Sequence, residues 1–277
     1  LGEIAKTHGT PRRTVLLGAA LPAPSQRSQT PTEVADDPCF VFLSSTGLLA
    51  RTESAEEVGD GGDRTNHDVV VSTVATTARG EIGVITNLGR LLKLSVLDLT
   101  AATIPPSASH PNLNGTLALS ELLSLDPGER ALALTSLATE GPGLALGTRR
   151  GVVKRVNPEV IGKDAWDVIR LDDGDEVVGA VELIDESADL AFVTTDAQLL
   201  HFPASSVRPQ GRSGGGMAGI KLAPRASVVF FGAVHPATDD VVTIAGASSS
   251  LPGTEAGSAK VTPLAEYPAK GRATGGV

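Results

Sequence analysis

Two phrases in the second half of the chain have the composition of an anion-holding loop. They are RPQGRSGGGMAGI (residues 208–220) and YPAKGRATGGV (residues 267–277). Each runs proline, a short polar step, Gly-Arg, a small polar residue and then glycines. Glycine lets the backbone come close to a phosphate, free N–H groups add hydrogen bonds, and Arg212 and Arg272 supply charge. The plain alternative is a flexible connecting loop. Other basic residues recur at matching places: Arg51, then Arg90 and Lys93, then Arg149, Arg150, Lys154 and Arg155, then Arg208 and Arg212, then Lys260, Lys270 and Arg272. This recurrence predicts a cationic track, densest at TRRGVVKR (residues 148–155), with scattered surface charge as the alternative. Neighbours along a strand face opposite ways, so only some of these residues share one face.

Covalent and metal chemistry have less to stand on. The single tyrosine, Tyr267, precedes Pro268 and reads as a packing or cap residue. His8, His67, His110, His201 and His235 show no ligand spacing, and no H-E-x-x-H motif occurs. Asp172-Asp173 and Asp239-Asp240 fit polar turns. GDGGD (residues 59–63) lacks the Lys-Ser/Thr of a phosphate-binding loop. One cysteine, Cys39, excludes an internal disulfide and a cysteine-based zinc site; within CFVFL it reads as a buried thiol. No apolar run approaches the ~18 residues of a membrane span. A soluble cytoplasmic protein is the expectation. The net charge of -9 argues against a surface coated in basic residues, but a whole-chain sum hides a local track.

The elements that must position these residues follow from the pattern of apolar runs. At 277 residues, one large or two small domains are expected. The start at Leu1 and the closing glycines read as marks of a piece of a longer protein. EIAKTHGTPRRTVLL resembles the end of a preceding domain, and LPAPSQRSQTPTEVADDP (residues 21–38) is a linker by composition. From Cys39 onward, short apolar runs alternate with turn residues, the signature of an all-β domain. One unit recurs: strand, polar turn, strand ending in a basic residue, then a segment with Pro, Leu or Val. The copies span residues 39–52, 80–99, 143–161, 189–207 and 241–267. Further runs at 68–77, 131–137, 175–183 and 226–235 supply more strands. A hairpin unit that cannot bury its own face closes best as a ring.

Several segments, in order, carry a family resemblance. RRGVVKRVNPEVI, TDAQLLHFPASSVRPQGRSGGGMAGIKL and AKVTPLAEYPAKGRATGGV resemble the C-terminal domain of type IIA bacterial topoisomerase A subunits, which include those of DNA gyrase and topoisomerase IV. THGTPRRTVLL resembles the end of the breakage-reunion core that precedes that domain. The resemblance implies residues 1–38 as core end and linker, and residues 39–277 as a β-pinwheel. That fold is an all-β, propeller-like ring, here of about five four-stranded blades with strands exchanged between neighbours and DNA on the outer rim. The fifth copy lacks the strands expected to follow Val277.

In the family, a basic glycine-rich box after the first blade helps wrap DNA. The two opening phrases resemble degraded copies of that box after the fourth and fifth blades. The first-blade place holds ESAEEVGDGGDRTNHD (residues 53–68), which is acidic. That departure favours topoisomerase IV over gyrase. The implied function is non-sequence-specific binding and bending of duplex DNA, presented to the cleavage core of an ATP-dependent topoisomerase for relaxation and decatenation. A gyrase wrapping domain and a protein-interaction platform are the alternatives. Implied partners are double-stranded DNA, the topoisomerase B subunit (the ATPase) and a second A subunit, with no membrane, in the cytoplasm at the nucleoid. The catalytic tyrosine would lie in the preceding domain. Mg2+ and ATP would belong to the parent complex, with no cofactor in this chain.

Overall fold

A computed structural model describes Lys6, residues 34–55, 69–99, Leu113, residues 116–245 and residues 258–277. The chain divides into two compact units, Leu1–Val34 and Ala35–Val277. The first is described only at Lys6 and Val34, so THGTPRRTVLL and most of the linker lie outside the described residues, as do Glu56, Glu57, Asp60 and Asp63.

The second unit is built on hairpins at the expected places. These are β1 (Pro38–Ser44) with β2 (Leu48–Arg51), β4 (Glu81–Thr86) with β5 (Arg90–Ser95), β8 (Leu144–Thr148) with β9 (Val152–Val156), β12 (Asp189–Thr194) with β13 (Leu199–Pro203), and β17 (Asp240–Ala245) with β18 (Ser258–Pro263). The first four turns share one construction. The N–H of Gly47, Gly89, Gly151 and Ala197 donates to the carbonyl three residues back, on Ser44, Thr86, Thr148 and Thr194. In three of them the Ser or Thr hydroxyl also accepts the N–H of the residue four ahead. The left-handed backbone at the fourth turn position falls on glycine three times and on Ala197 once, at φ 60.

Each of these four hairpins gains an inner strand: β3 (Val70–Thr77) on β1, β7 (Ala131–Thr135) on β4, β11 (Val177–Glu182) on β8, and β16 (Val228–Val234) on β12. The inner strands pack one on the next, β3 on β7, β7 on β11 and β11 on β16, so they mark the central side of a propeller-like arrangement.

The opposite, outer edge is finished by the copy that follows. β6 (Leu117–Ala118) pairs with β2, and β10 (Ala165–Asp167) pairs with β5. β14 (Pro209–Gln210) and β15 (Met217–Ala218) both pair with β9. In the fourth sheet, Val277 exchanges both backbone hydrogen bonds with Leu199, each 2.8 Å.

Sheets stacked this way bury both faces of their central strands. Val41, Leu43, Leu49, Ile82, Val84, Leu92 and Leu134 form one core cluster, drawn from the first two sheets. The next, drawn mainly from the second and third, holds Ile85, Leu91, Leu146, Trp166 and Val177. A third holds Ala145, Val153, Leu190, Phe192, Phe202 and Phe231 from the third and fourth. Three of the six phenylalanines meet there, the Phe192 and Phe231 rings 4.8 Å apart. Phe231 reaches Phe192 past Gly147 and Gly179, where an added Cβ would collide with it. Cys39 is buried, and burial pushes its thiol pKa up.

The blade count differs from about five four-stranded blades. The described strands form sheets of four, four, five and three strands, with a two-stranded fifth, β17–β18. That hairpin leaves Val242, Ile244 and Val261 exposed, because no third strand covers it among the described residues.

Candidate nucleic-acid interface

The recurrence of basic residues is structural in part. Arg51, Lys93, Arg155 and His201 stand at one equivalent position, opposite Val41, Gly83, Ala145 and Ala191 in the four hairpins. Lys93 Nζ lies 2.7 Å from Glu81. His201 Nδ1 lies 2.7 Å from Asp189 Oδ2, and its Nε2 lies 2.9 Å from the Tyr267 carbonyl. Arg155 is buried. Its guanidinium donates to Glu186 at 2.8 Å and to the carbonyls of Pro142, Ala204 and Val207. Arg51 is half-buried and donates to the Thr52 carbonyl at 3.3 Å. The pattern that predicts an outward track marks, at this position, basic side chains bonded to the protein itself: Arg51 and Lys93 locally, Arg155 and His201 to other segments.

Lys154 is also withdrawn from the surface, with 0% exposure. Its Nζ donates to the carbonyls of Val168 (2.7 Å), Arg212 (2.9 Å) and Gly214 (2.7 Å). Burial lowers its pKa to about 8, since a desolvated ammonium is costly, while three carbonyl acceptors favour the charged form. The sequence pattern puts both Lys154 and Arg155 on the DNA path. In this fold neither can reach DNA, because their charged heads are enclosed and occupied.

Two further candidates are paired with acids at the surface. Arg90 Nη1 lies 2.7 Å from Asp126 and 2.9 Å from Glu129. Arg149 and Arg130 both meet Glu176. Burial pushes the Glu176 pKa up, but hydrogen bonds from Asn87 and Arg149 and the charges of Arg130 and Arg149 outweigh it and hold the carboxyl below its ordinary value.

The remaining candidates gather on the outer edge. The exchanged segments 163–171, 209–222 and 267–277 are bonded to one another in sequence. Arg170 N–H donates to the Gly214 carbonyl, Lys221 N–H to Thr274, Ala273 N–H to Gly219 and Arg272 Nη1 to Ala218. Gly219 and Ile220 both donate to the Gly151 carbonyl, which brings the Arg149–Arg150 turn to the same edge. This belt carries Lys163, Arg170, Arg212, Lys221, Lys270 and Arg272, with Arg208 just before its second segment; all are exposed except Arg272, which is half-buried. Segments 209–222 and 267–277 contain no Asp or Glu. Arg212 comes no nearer than 3.9 Å to Glu159. It also lines a cavity of about 280 Å³ with Arg90, Lys163 and Trp166. Lys260 is exposed on β18, off the belt.

Lys163, Arg170 and Lys221 do not stand out in the sequence. For Lys221 the signal is the lack of acids in the last two segments, which only the exchanged pairing turns into a surface; Lys163 and Arg170 have Asp164, Asp167, Asp172 and Asp173 near them in sequence and carry no such signal. Tyr267 closes a 3-10 turn by donating its N–H to Leu264.

Comparison with known proteins agrees with this architecture. A family described as "DNA gyrase C-terminal domain, beta-propeller" matches residues 188–235 and 253–277. The A subunit of DNA gyrase from Mycolicibacterium smegmatis is 28% identical over 297 residues, covering 100% of this chain and 31% of that protein. The A subunit of DNA gyrase from Mycobacterium tuberculosis (strain H37Rv) is 26% identical over 292 residues, covering 100% of this chain and 32% of that protein. The chain thus spans about a third of the length of these relatives. Among solved structures, the C-terminal domain of DNA topoisomerase IV superposes with a TM-score of 0.66 at 20% identity, covering 88% of this chain and 73% of that one. The DNA gyrase A C-terminal domain gives 0.54 at 20% identity, covering 87% and 76%. In fold the chain is similar to the C-terminal domains of topoisomerase IV and of gyrase A, and in sequence it is similar to the C-terminal third of gyrase A subunits.

Proposed function

We propose that this domain binds duplex DNA without sequence preference along the outer belt. It bends the duplex shallowly and presents it to the cleavage core of a cytoplasmic topoisomerase, which works with an ATPase of the B type and with a second A subunit. The observation that carries this reading is the acid-free run of cations on segments 209–222 and 267–277, exposed except for the half-buried Arg272, in a chain whose net charge is -9. Phosphate contacts give affinity without base information. The acidic stretch at 53–68 supports a topoisomerase IV role, because carboxylates repel phosphate where gyrase has a basic box. The gyrase A identity of the sequence relatives supports the second reading, a wrapping domain.

Salt dependence tests DNA binding. With about four to six phosphates neutralised, log K falls against log salt with a slope of roughly -4 to -5. Changing Arg150, Arg212, Lys221 and Arg272 together to Ala flattens the slope by about the number of phosphates no longer neutralised. An unchanged slope removes the belt from the DNA path.

A further inference from the structure

The turn at residues 211–216 is held from below by a buried charge. Lys154 Nζ pulls the carbonyls of Arg212 and Gly214 inward, and Arg170 N–H donates to the same Gly214 oxygen at 3.1 Å. Gly214 N–H closes back on the Gly211 carbonyl, and Gly216 N–H is taken by Gln210 Oε1. No cis peptide occurs among the described residues. A trans peptide points its C=O and N–H in opposite directions. Pinning Arg212 O and Gly214 O therefore turns the N–H groups of Ser213 and Gly215 away from Lys154. Neither N–H has an acceptor among the described residues. The Arg170 guanidinium runs beside Gly215, with Nη2 3.7 Å from where a Cβ would stand, and Arg212 is on the turn itself. Arg170 has no ion pair among the described residues, and Arg212 meets Glu159 only loosely, at 3.9 Å. Two unpaired amides with the Arg170 guanidinium beside them and Arg212 on the same turn, above a buried ammonium, make a preformed anion seat.

We propose that this turn binds one backbone phosphate of the duplex, through the N–H groups of Ser213 and Gly215 and the guanidiniums of Arg170 and Arg212, with Lys154 as the residue that positions it. The assignment rests on the DNA-binding reading and adds a defined site to it. Glycine at 214 suits the role, since an added Cβ would stand 2.6 Å from Gln210 Oε1, the atom that takes the Gly216 N–H. Lys154 touches no ligand. Its part is to fix which way two peptide units face.

The test is amide-resolved NMR of the full chain, titrated with a mixed-sequence duplex of about 20 base pairs and, separately, with inorganic phosphate. The expected result is a downfield shift of the Ser213 and Gly215 amide protons on adding duplex. In Lys154→Met those two shifts disappear while shifts around Arg150 and Arg272 persist. Arg170→Ala and Arg212→Ala leave the buried anchor in place, so they serve if Lys154→Met fails to fold. Each should flatten the salt slope by about one. Duplex binding with Ser213 and Gly215 unmoved overturns the site and leaves the DNA reading standing. No shift anywhere with duplex overturns the DNA reading itself. Shifts at these amides with phosphate alone would then reassign the turn to a free anion.

Discussion

Lys154 and Arg155 are adjacent, point to opposite faces of β9, and are both buried. The sequence shows two cations in a basic run, and on a half-exposed strand one of them would reach water. Here sheets stack on both sides, so alternation changes which interior each side chain enters. Local spacing carries no sign of that second covering layer, which is why the whole of the densest basic cluster reads as surface in the sequence, whereas in the fold Arg149 and Arg150 are exposed and Lys154 and Arg155 lie inside. The turn chemistry is legible, because Gly47, Gly89 and Gly151 recur at one place. The fourth copy breaks that rule with Ala197, whose φ of 60 crowds its Cβ. Left-handed backbone costs an L-residue roughly 1–2 kcal/mol, partly offset by the looser unfolded chain that glycine gives. Ala197→Gly should therefore raise stability by up to about 1 kcal/mol in urea denaturation. A loss of stability would mean that the methyl group packs well enough to outweigh the strain.

At the scale of elements, five hairpins and four inner strands are visible in the sequence as apolar runs broken by turns. The exchanged strands are not. β6, β14 and β15 are two residues long and β10 three, and each pairs with a strand from the preceding copy. No local periodicity can announce a strand that short; only the resemblance to a strand-exchanging family implies it. The contact between the third and fourth sheets is equally hidden, since it depends on glycines in one sheet receiving a ring from the next. Gly147→Ala drives a methyl group into Phe231 in a packed interior. Overpacking of this kind costs about 1–3 kcal/mol. The midpoint of urea denaturation should fall accordingly, and Phe231→Leu should recover part of the loss in the Gly147→Ala background. Additive losses would show that the two sites do not share the strain.

For the whole molecule, net acidity and a cationic rim coexist because the charges are segregated: the last two belt segments carry Arg212, Lys221, Lys270 and Arg272 and no acid. Bending 20–30 base pairs through a large angle costs on the order of 1–6 kcal/mol, which only sustained phosphate contact offsets. A rim this sparse favours a shallow bend. Ligating nicked plasmid in the presence of the full chain should leave the linking-number distribution nearly centred. A marked shift to one sign would show a chiral wrap and favour the gyrase reading. Strand exchange also sets an order on synthesis. The first sheet is not complete until Ala118 has left the ribosome, the second waits for Asp167, the third for Ala218 and the fourth for Val277. Throughout translation, the newest sheet therefore presents an open edge, the kind of surface that recruits stray strands. A pause between copies would prolong that exposure, whereas one placed after an exchanged segment would leave the sheet before it sealed.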